Sequence, residues 1–232
     1  MSTAVIIPVF NEEESLPRVL ADIPRELVDE VVVVDNGSTD RSAEVASEHG
    51  GRVVPEPRRG YGAACLAGIA ATKEHDILVF LDGDYSDYPQ DMHQLLAPVV
   101  GDQADLVIGS RMLDKEARMA LLPQARFGNR LAATLMRLLF GIRCSDLGPF
   151  RAIRRDKLVD LEMQDRDFGW TVEMQLRARL RGLRVMELPV RYRKRIGKSK
   201  ITGTMSGTIR AGYKILKTIL AYRLRPPRFA SR

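Results

Sequence analysis

The feature that most constrains this chain of 232 residues is an alternation between two kinds of segment. Five short runs rich in Val and Ile, "AVIIPVF", "EVVVVDN", "GRVVPE", "DILVFLD" and "DLVIGS", are apolar along most of their length rather than at every second position. Strands of that kind are buried on both faces, the condition of a parallel sheet covered by helices. Helical segments lie between them: "EEESLPRVLADI" after the first run, "TDRSAEVASEH" after the second with Ser38 or Thr39 as N-cap, and "YGAACLAGIAATK" after the third. Pro89 stands at the first turn of "PQDMHQLLAPVV", where its missing N–H breaks no helical bond. Strand, helix, strand repetition with right-handed crossovers predicts an α/β chain: a Rossmann-like, mostly parallel sheet with helices on both faces.

In open sheets of this kind, ligands bind beyond the carboxyl ends of the strands. The unusual residues fall there four times: Asn11 and Glu12 after the first run, Asp35 to Asp40 after the second, "RRGYG" after the third, and "FLDGDYSDYP" at the end of the fourth. Each loop alone reads as an ordinary turn built on Asx or Gly. The last one places Asp82, Asp84 and Asp87 at the end of a buried strand. Dehydrated carboxylates without partners cost several kcal/mol, so this cluster must face water, a cation or a cationic partner. Four loops converging on one edge predict a site.

Composition narrows the setting. No apolar run approaches the ~20 residues that a bilayer span needs, and the N-terminus lacks the basic-then-apolar pattern of a signal peptide, so a cytoplasmic protein is expected. Cys65 and Cys144 lie far apart without paired-cysteine spacing and read as reduced thiols. The net charge of +6 hides a polarity: residues 1–150 carry 14 Lys and Arg against 23 Asp and Glu, whereas residues 151–232 carry 22 against 7. A basic C-terminal part suits nucleic acid, phosphorylated substrates or an anionic membrane, and charge alone does not choose among them.

Taken in order, "IPVFNEEES", "VVDNGSTD", "GYGAACLAG", "LDGDYSDYP", "GSRM" and "CSDLGPFRAI" resemble the glycosyltransferase family 2 enzymes, in particular the branch of dolichyl-phosphate mannose and polyprenyl-phosphate glucose synthases. The resemblance runs from about Ala4 to Lys200. It implies a GT-A fold, a nucleotide-sugar donor, inversion at the anomeric carbon, and a divalent metal, Mg²⁺ or Mn²⁺. Asp82-Gly83-Asp84 is similar to the family's DXD motif, which implies Asp84 as the direct metal ligand and Asp82 reaching ribose or metal. Hard cations of this kind take oxygen ligands shared among carboxylates, phosphates and water. Relatives with a lipid-phosphate acceptor often carry Gln where this chain has Ser86, and Asp87 reads as an acid near a helix N-cap. The resemblance further implies that Pro8, Phe10, Glu12, Asp35 and Gly37 line the nucleoside. A carboxylate at Asp35 can pair with uracil or with guanine, so UDP and GDP donors both stay open. Gly60 and Gly62 let backbone approach a ligand closely, though a tight turn into a helix explains them too. Arg111 in "GSRM" matches an arginine near the sugar and phosphates.

Beyond Arg111 the pattern loosens. Residues 113–128, "LDKEARMALLPQARFG", show no clear period and suit a mobile loop over the site, with Arg126 implied near the phosphates. "NRLAATLMRLLFG" then reads as an amphipathic helix that packs Leu131, Leu135, Leu138 and Leu139 on the core. Asp146 matches the family's acidic residue near the acceptor. A sugar hydroxyl acceptor needs a general base, whereas a phosphate monoester is already ionised near neutral pH. "FGWTVEMQLRARLRG" lacks the acidic pair and Arg-Trp motif of relatives acting on hydroxyls, which favours a polyprenyl phosphate. "VRYRKRIGKSKITGT" resembles the family's phosphate-clamping loop, with Arg195, Lys198 and Lys200 as candidates.

From Thr208 to Leu224, Ile209, Tyr213, Leu216 and Leu220 recur at helical spacing, widened by Gly212 and Ile219, and residues 201–232 hold seven basic and no acidic groups. This predicts a basic amphipathic helix lying on an anionic membrane surface, or else packed on the domain or on a second subunit in a homo-oligomer. The expected division is a catalytic domain over 1–207, its nucleotide and metal half ending near 110, followed by the helix and tail over 208–232. A sugar nucleotidyltransferase, which would carry a Gly-rich basic loop where this chain has "FNEEES", and a nucleic-acid-binding module, which would leave the aspartates unused, are the competing classes. A family 2 enzyme acting on a soluble or saccharide hydroxyl is the nearer alternative, and no nucleic acid partner is expected.

Overall fold

The computed structural model describes residues 1–197 and 205–227. All five expected strands form: β1 (Thr3–Val9), β2 (Glu30–Asp35), β3 (Arg52–Pro55), β4 (Ile77–Phe80) and β5 (Leu106–Ser110). Two more, β6 (Arg151–Arg154) and β7 (Val185–Pro189), complete a seven-stranded sheet in the order β3-β2-β1-β4-β6-β5-β7. Only β6 runs antiparallel, between β4 and β5. Neither added strand has a Val/Ile run of its own: "RAIR" is half charged, and "VMELP" lies on the edge, only partly buried.

Helices α1 (Leu16–Asp22), α2 (Ser42–Glu48), α3 (Tyr61–Ala71) and α4 (Met92–Val100) connect the first five strands. Alternation along each strand sends its side chains to opposite faces. Val5, Ile7, Val31, Val33 and Val79 thus pack with α1, α2 and α4, while Ala4, Ile6, Val32, Val34 and Leu78 meet α3, α7 (Arg155–Asp160) and α8 (Trp170–Leu180). Burying each of these Val, Leu or Ile side chains is worth about 1.5–3 kcal/mol relative to exposure. A third cluster joins α6 (Pro123–Phe140), α8 and α9 (Met205–Leu224) through Ala132, Met136, Val172, Leu176 and Ile219.

Three local expectations are corrected. Neither Ser38 nor Thr39 caps α2, whose first residue is Ser42; instead they bind the turn after β1, where Asn11 N donates to Ser38 Oγ at 3.0 Å and Thr39 N to Asn11 Oδ1 at 2.7 Å. The stretch expected as a mobile loop is largely helical: α5 (Lys115–Ala120) is capped by the Asp114 carboxylate, which accepts from Ala117 N, and Pro123 opens α6. α6 buries Asn129, Ala132 and Met136, and Leu135 and Leu139 pack on that cluster as expected, whereas Leu131 is exposed and Leu138 is 74% exposed. Among the described residues no helix is long and apolar enough to cross a membrane.

Candidate active site

The sheet order reverses between β1 and β4, since β2 and β3 lie on one side of β1 while β4 and its neighbours lie on the other. Such a switch point opens a crevice at the strands' carboxyl ends. It brings the turn after β1 beside the aspartates after β4. The added strands serve the same edge. Because β6 is antiparallel, the segment before it, with Asp146, arrives there; because β7 is parallel, so does the segment after it, residues 190–197.

At the loops after β1 and β2, Phe10 carries the Arg59 guanidinium 3.2 Å above its ring centre, and Arg59 Nη1 donates to Asn36 O at 2.8 Å and Gly37 O at 3.3 Å. Asp35 Oδ1 accepts from Ser38 N at 3.0 Å across a tight bend in which Gly37 takes a φ of 76°. Pro8, half-buried, is the last residue but one of β1 and lies in register with Val34. Asn36, which sequence reasoning passed over, holds two loops together: its Nδ2 donates to Glu56 O and Arg58 O at 2.9 and 2.7 Å, and its Oδ1 accepts from Gly60 N at 2.8 Å.

Gly60 and Gly62 are required by packing within the chain itself. A Cβ on Gly60 would lie 2.1 Å from Arg166 O, and one on Gly62 2.2 Å from Asp165 O. It is the chain's own 165–167 loop that comes close, and Ala63 N donates to Arg166 O at 3.0 Å. Gly83 has little room either, since an added Cβ would meet Val9 Cγ2 at 3.0 Å.

The acidic loop is tightly organised. Tyr61 Oη donates to Asp82 Oδ1 at 3.1 Å, and burial, then the neighbouring Asp84 charge, push the Asp82 carboxyl up to about 7. Asp84 is 7% exposed; its Oδ1 accepts from Ser86 N at 2.9 Å, and its Oδ2 lies 2.9 Å from Arg195 Nη1. The second Arg195 nitrogen reaches Glu12 Oε1 at 2.7 Å. Asp87 departs from the expected cap role. It is 2% exposed, neither carboxylate oxygen meets a donor among the described residues, and the short helical turn at Pro89–Asp91 receives no side-chain cap. Burial, then Asp82, hold its carboxyl well above the ordinary range.

Asp146 is fully buried and saturated. It accepts from Arg111 N and Nε at 2.9 and 2.8 Å, from Arg111 Nη2 and Asn129 Nδ2 at 2.8 and 2.6 Å, and from Leu147 N at 2.8 Å. Burial opposes its charge, but Arg111 and these donors outweigh that and hold the carboxyl below its ordinary value. The pair orients Arg111, which also stacks 5.1 Å from the centre of the Tyr192 ring. Asn129 was not legible as a site residue; its one sequence clue is that it lies three positions after Arg126, hence on nearly the same side of α6. Arg126 is half-buried there. Lys198 and Lys200 lie outside the described residues.

The donor set suits a hard divalent ion. Burial, and after it the Asp84 charge, raise the Asp82 carboxyl, and a cation placed beside it relieves that repulsion. Among the described residues no three acidic, histidine or cysteine side chains form a ligand cluster, so the remaining oxygens would come from phosphate and water, as such ions accept.

This edge, with paired aspartates at a switch point and basic groups around them, belongs to a GT-A fold. The sequence matches Glycosyl transferase family 2 over residues 4–161, and the chain belongs to that family. An uncharacterized glycosyltransferase of Mycobacterium tuberculosis is 40% identical over 94% of this chain and 98% of its own. A dolichyl-phosphate hexose transferase of Haloferax volcanii is 35% identical over 96% of each chain. Among solved structures, glucosyl-3-phosphoglycerate synthase from Mycobacterium tuberculosis, in complex with Mn²⁺, UDP and glucosyl-3-phosphoglycerate, superposes with a TM-score of 0.76 at 26% identity, covering 98% of this chain and 81% of that one.

Proposed function

We propose that this glycosyltransferase moves a hexose from a nucleoside diphosphate sugar to a polyprenyl phosphate, with inversion and with a divalent cation at Asp84 and Asp82. The observation that carries the acceptor assignment is the state of Asp146. A carboxylate that is fully buried, receives five hydrogen bonds and is held ionised has no lone pair free to take an acceptor proton. An ionised phosphate acceptor needs no such base. It needs orientation and relief of repulsion, which Arg111 and the half-buried Arg126 supply. The activity named for the Haloferax volcanii relative supports this reading.

On the donor side, Pro8, Phe10, Asp35 and Gly37 form the nucleoside wall, Glu12 and Arg195 stand between it and the aspartates, and Gly60, Gly62 and Gly83 keep the loops closely apposed. The cation, when bound, supplies Lewis-acid stabilisation of the departing diphosphate. A second reading, transfer to a small soluble acceptor, is favoured by the likeness to glucosyl-3-phosphoglycerate synthase. The two are separated by offering UDP-glucose, UDP-galactose, UDP-N-acetylglucosamine and GDP-mannose with either a short polyprenyl phosphate or 3-phosphoglycerate, with Mn²⁺ and with EDTA. Metal-dependent transfer to the polyprenyl phosphate is expected, and Asp84→Ala abolishes it. Transfer to 3-phosphoglycerate alone, or turnover unchanged in EDTA, overturns the assignment. Peripheral attachment to the cytoplasmic membrane face through α9 belongs to the same proposal.

A further inference from the structure

Arg195 grips two carboxylates of the site at once, with Nη1 2.9 Å from Asp84 Oδ2 and Nη2 2.7 Å from Glu12 Oε1. Its third nitrogen is different. The Nε–H is buried and meets no acceptor among the described residues. A buried donor without a partner is costly, and one in an otherwise well-bonded site marks a place for an acceptor oxygen.

The backbone that carries Arg195 is fastened along the acidic loop. Ile196 N donates to Asp84 O at 3.0 Å, Arg193 N to Ser86 O at 2.9 Å, and Tyr192 forms an antiparallel bridge with Asp87. Further back, Arg191 N and Nε both donate to the Asp91 carboxylate at 2.9 Å. Residues 191–196 therefore act as a strap that delivers the guanidinium to Asp84 by backbone pairing.

Asp84 is also the carboxylate assigned to the divalent ion, and two cations cannot share it at short range without strong repulsion. A guanidinium pushed off Asp84 beside a doubly charged ion needs a new anionic partner. A diphosphate oxygen provides one, and Nε has the free donor to meet it. We infer that Arg195 is the resident counter-cation of the Asp84 and Glu12 carboxylates and exchanges from them to the diphosphate, so that the divalent ion and the nucleotide enter together. This rests on the metal-dependent reading above and deepens it. Arg195 then acts with opposite sign on two equilibria: it opposes the ion alone and supports the ion with diphosphate. An arginine that only clamped phosphate would leave binding of the ion alone unchanged.

The test is a titration of Mn²⁺, read by the electron paramagnetic resonance of the free ion, with the full-length protein alone and with UDP or GDP. Wild type is expected to bind Mn²⁺ about tenfold more tightly with its nucleoside diphosphate than without, within the usual range of coupling between sites. Arg195→Met is expected to bind Mn²⁺ alone several-fold more tightly than wild type and to lose most of the enhancement by the diphosphate. Arg195→Lys keeps the charge, but one ammonium cannot span both carboxylates as the planar fork does, so it gives a smaller change in the same direction and guards against misfolding of the Met variant. If neither variant binds Mn²⁺ alone more tightly than wild type, while wild type shows the enhancement, the exchange is refuted and the metal reading survives. If wild type binds no Mn²⁺ with either nucleotide, the metal reading fails and takes the exchange with it.

Discussion

Asp146 and Asp87 show how far one residue type can diverge within a single site. Both are buried carboxylates of the candidate site's edge, yet Asp146 collects five donors and Asp87 none among the described residues. Removing the partner of a buried ion pair typically costs ~3–5 kcal/mol, so Asp146→Ala is expected to lower stability by about that much by leaving Arg111 and Asn129 without acceptors. Urea unfolding measures it, and a loss below about 1 kcal/mol would contradict the saturated geometry. Asp87 carries the opposite sign. Its carboxyl is raised in the folded protein by burial and by Asp82, so the fold binds this proton more tightly than the unfolded chain does. That contribution is fully present below the unfolded carboxyl's pKa of ~3.9 and is lost as pH rises through the folded value. Asp87→Asn is therefore expected to gain about 1–3 kcal/mol over wild type at alkaline pH, the scale of a buried unsatisfied group, with the gain shrinking toward pH ~4. A difference that does not vary with pH would place its origin outside this titration.

At the scale of elements, the proposed nucleoside wall is held from behind by the loop before α8. The Arg166 carbonyl occupies the space a side chain at Gly60 would need, and Glu173 on α8 fixes that loop by accepting from Asp165 N at 2.7 Å. Glu173 also accepts from Arg177 and, at 2.7 Å, from the Tyr222 hydroxyl, which ties α9 to the same support. Overpacking here is expected to act on binding as well as stability. Gly60→Ala, strained in addition by a φ of 143°, should cost about 3 kcal/mol and weaken nucleoside diphosphate binding, whereas Gly128→Ala, whose added Cβ meets nothing within 4 Å, should do neither. Calorimetric binding of UDP and GDP to both variants checks this; equal affinity in both would mean that the loop yields freely.

Over the whole molecule, the polarity of charge takes spatial form, with the acidic loops at the sheet edge and a basic helix laid across α6 and α8. α9 is not simply an appended stripe. Ile219 is fully buried, and Ile215 and Tyr222 pack on the same cluster, while Ile209 and Tyr213 are each 65% exposed. Truncation from Thr208 would uncover Val172, Leu176 and Met136, so the membrane proposal is better tested by substitution. Ile209→Asp with Tyr213→Asp should leave the unfolding midpoint nearly unchanged, because both positions are exposed, yet reduce sedimentation with anionic vesicles by about tenfold, as should raised salt. Equal recovery of wild type in the supernatant with and without such vesicles at low salt would reject the membrane role.

The sequence by itself determined the five parallel strands, their helices and the edge where the candidate site gathers, because continuous Val and Ile runs suit strands buried on both faces and loops after parallel strands converge wherever the helices lie. It also singled out Asp82 and Asp84, since charge at the end of a buried strand demands a partner, while Arg111 was singled out by resemblance alone. What only the tertiary structure decided were contacts between segments distant in the chain. β6 and β7 have no pattern of their own and become strands because neighbours complete their hydrogen bonds. Asn36 and Asn129 are ordinary polar residues until a loop and a carboxylate arrive from elsewhere. Asp87 and Asp146 are the same amino acid in the sequence; the number of donors the fold brings to each makes one a saturated anchor and the other a buried carboxyl without a donor among the described residues.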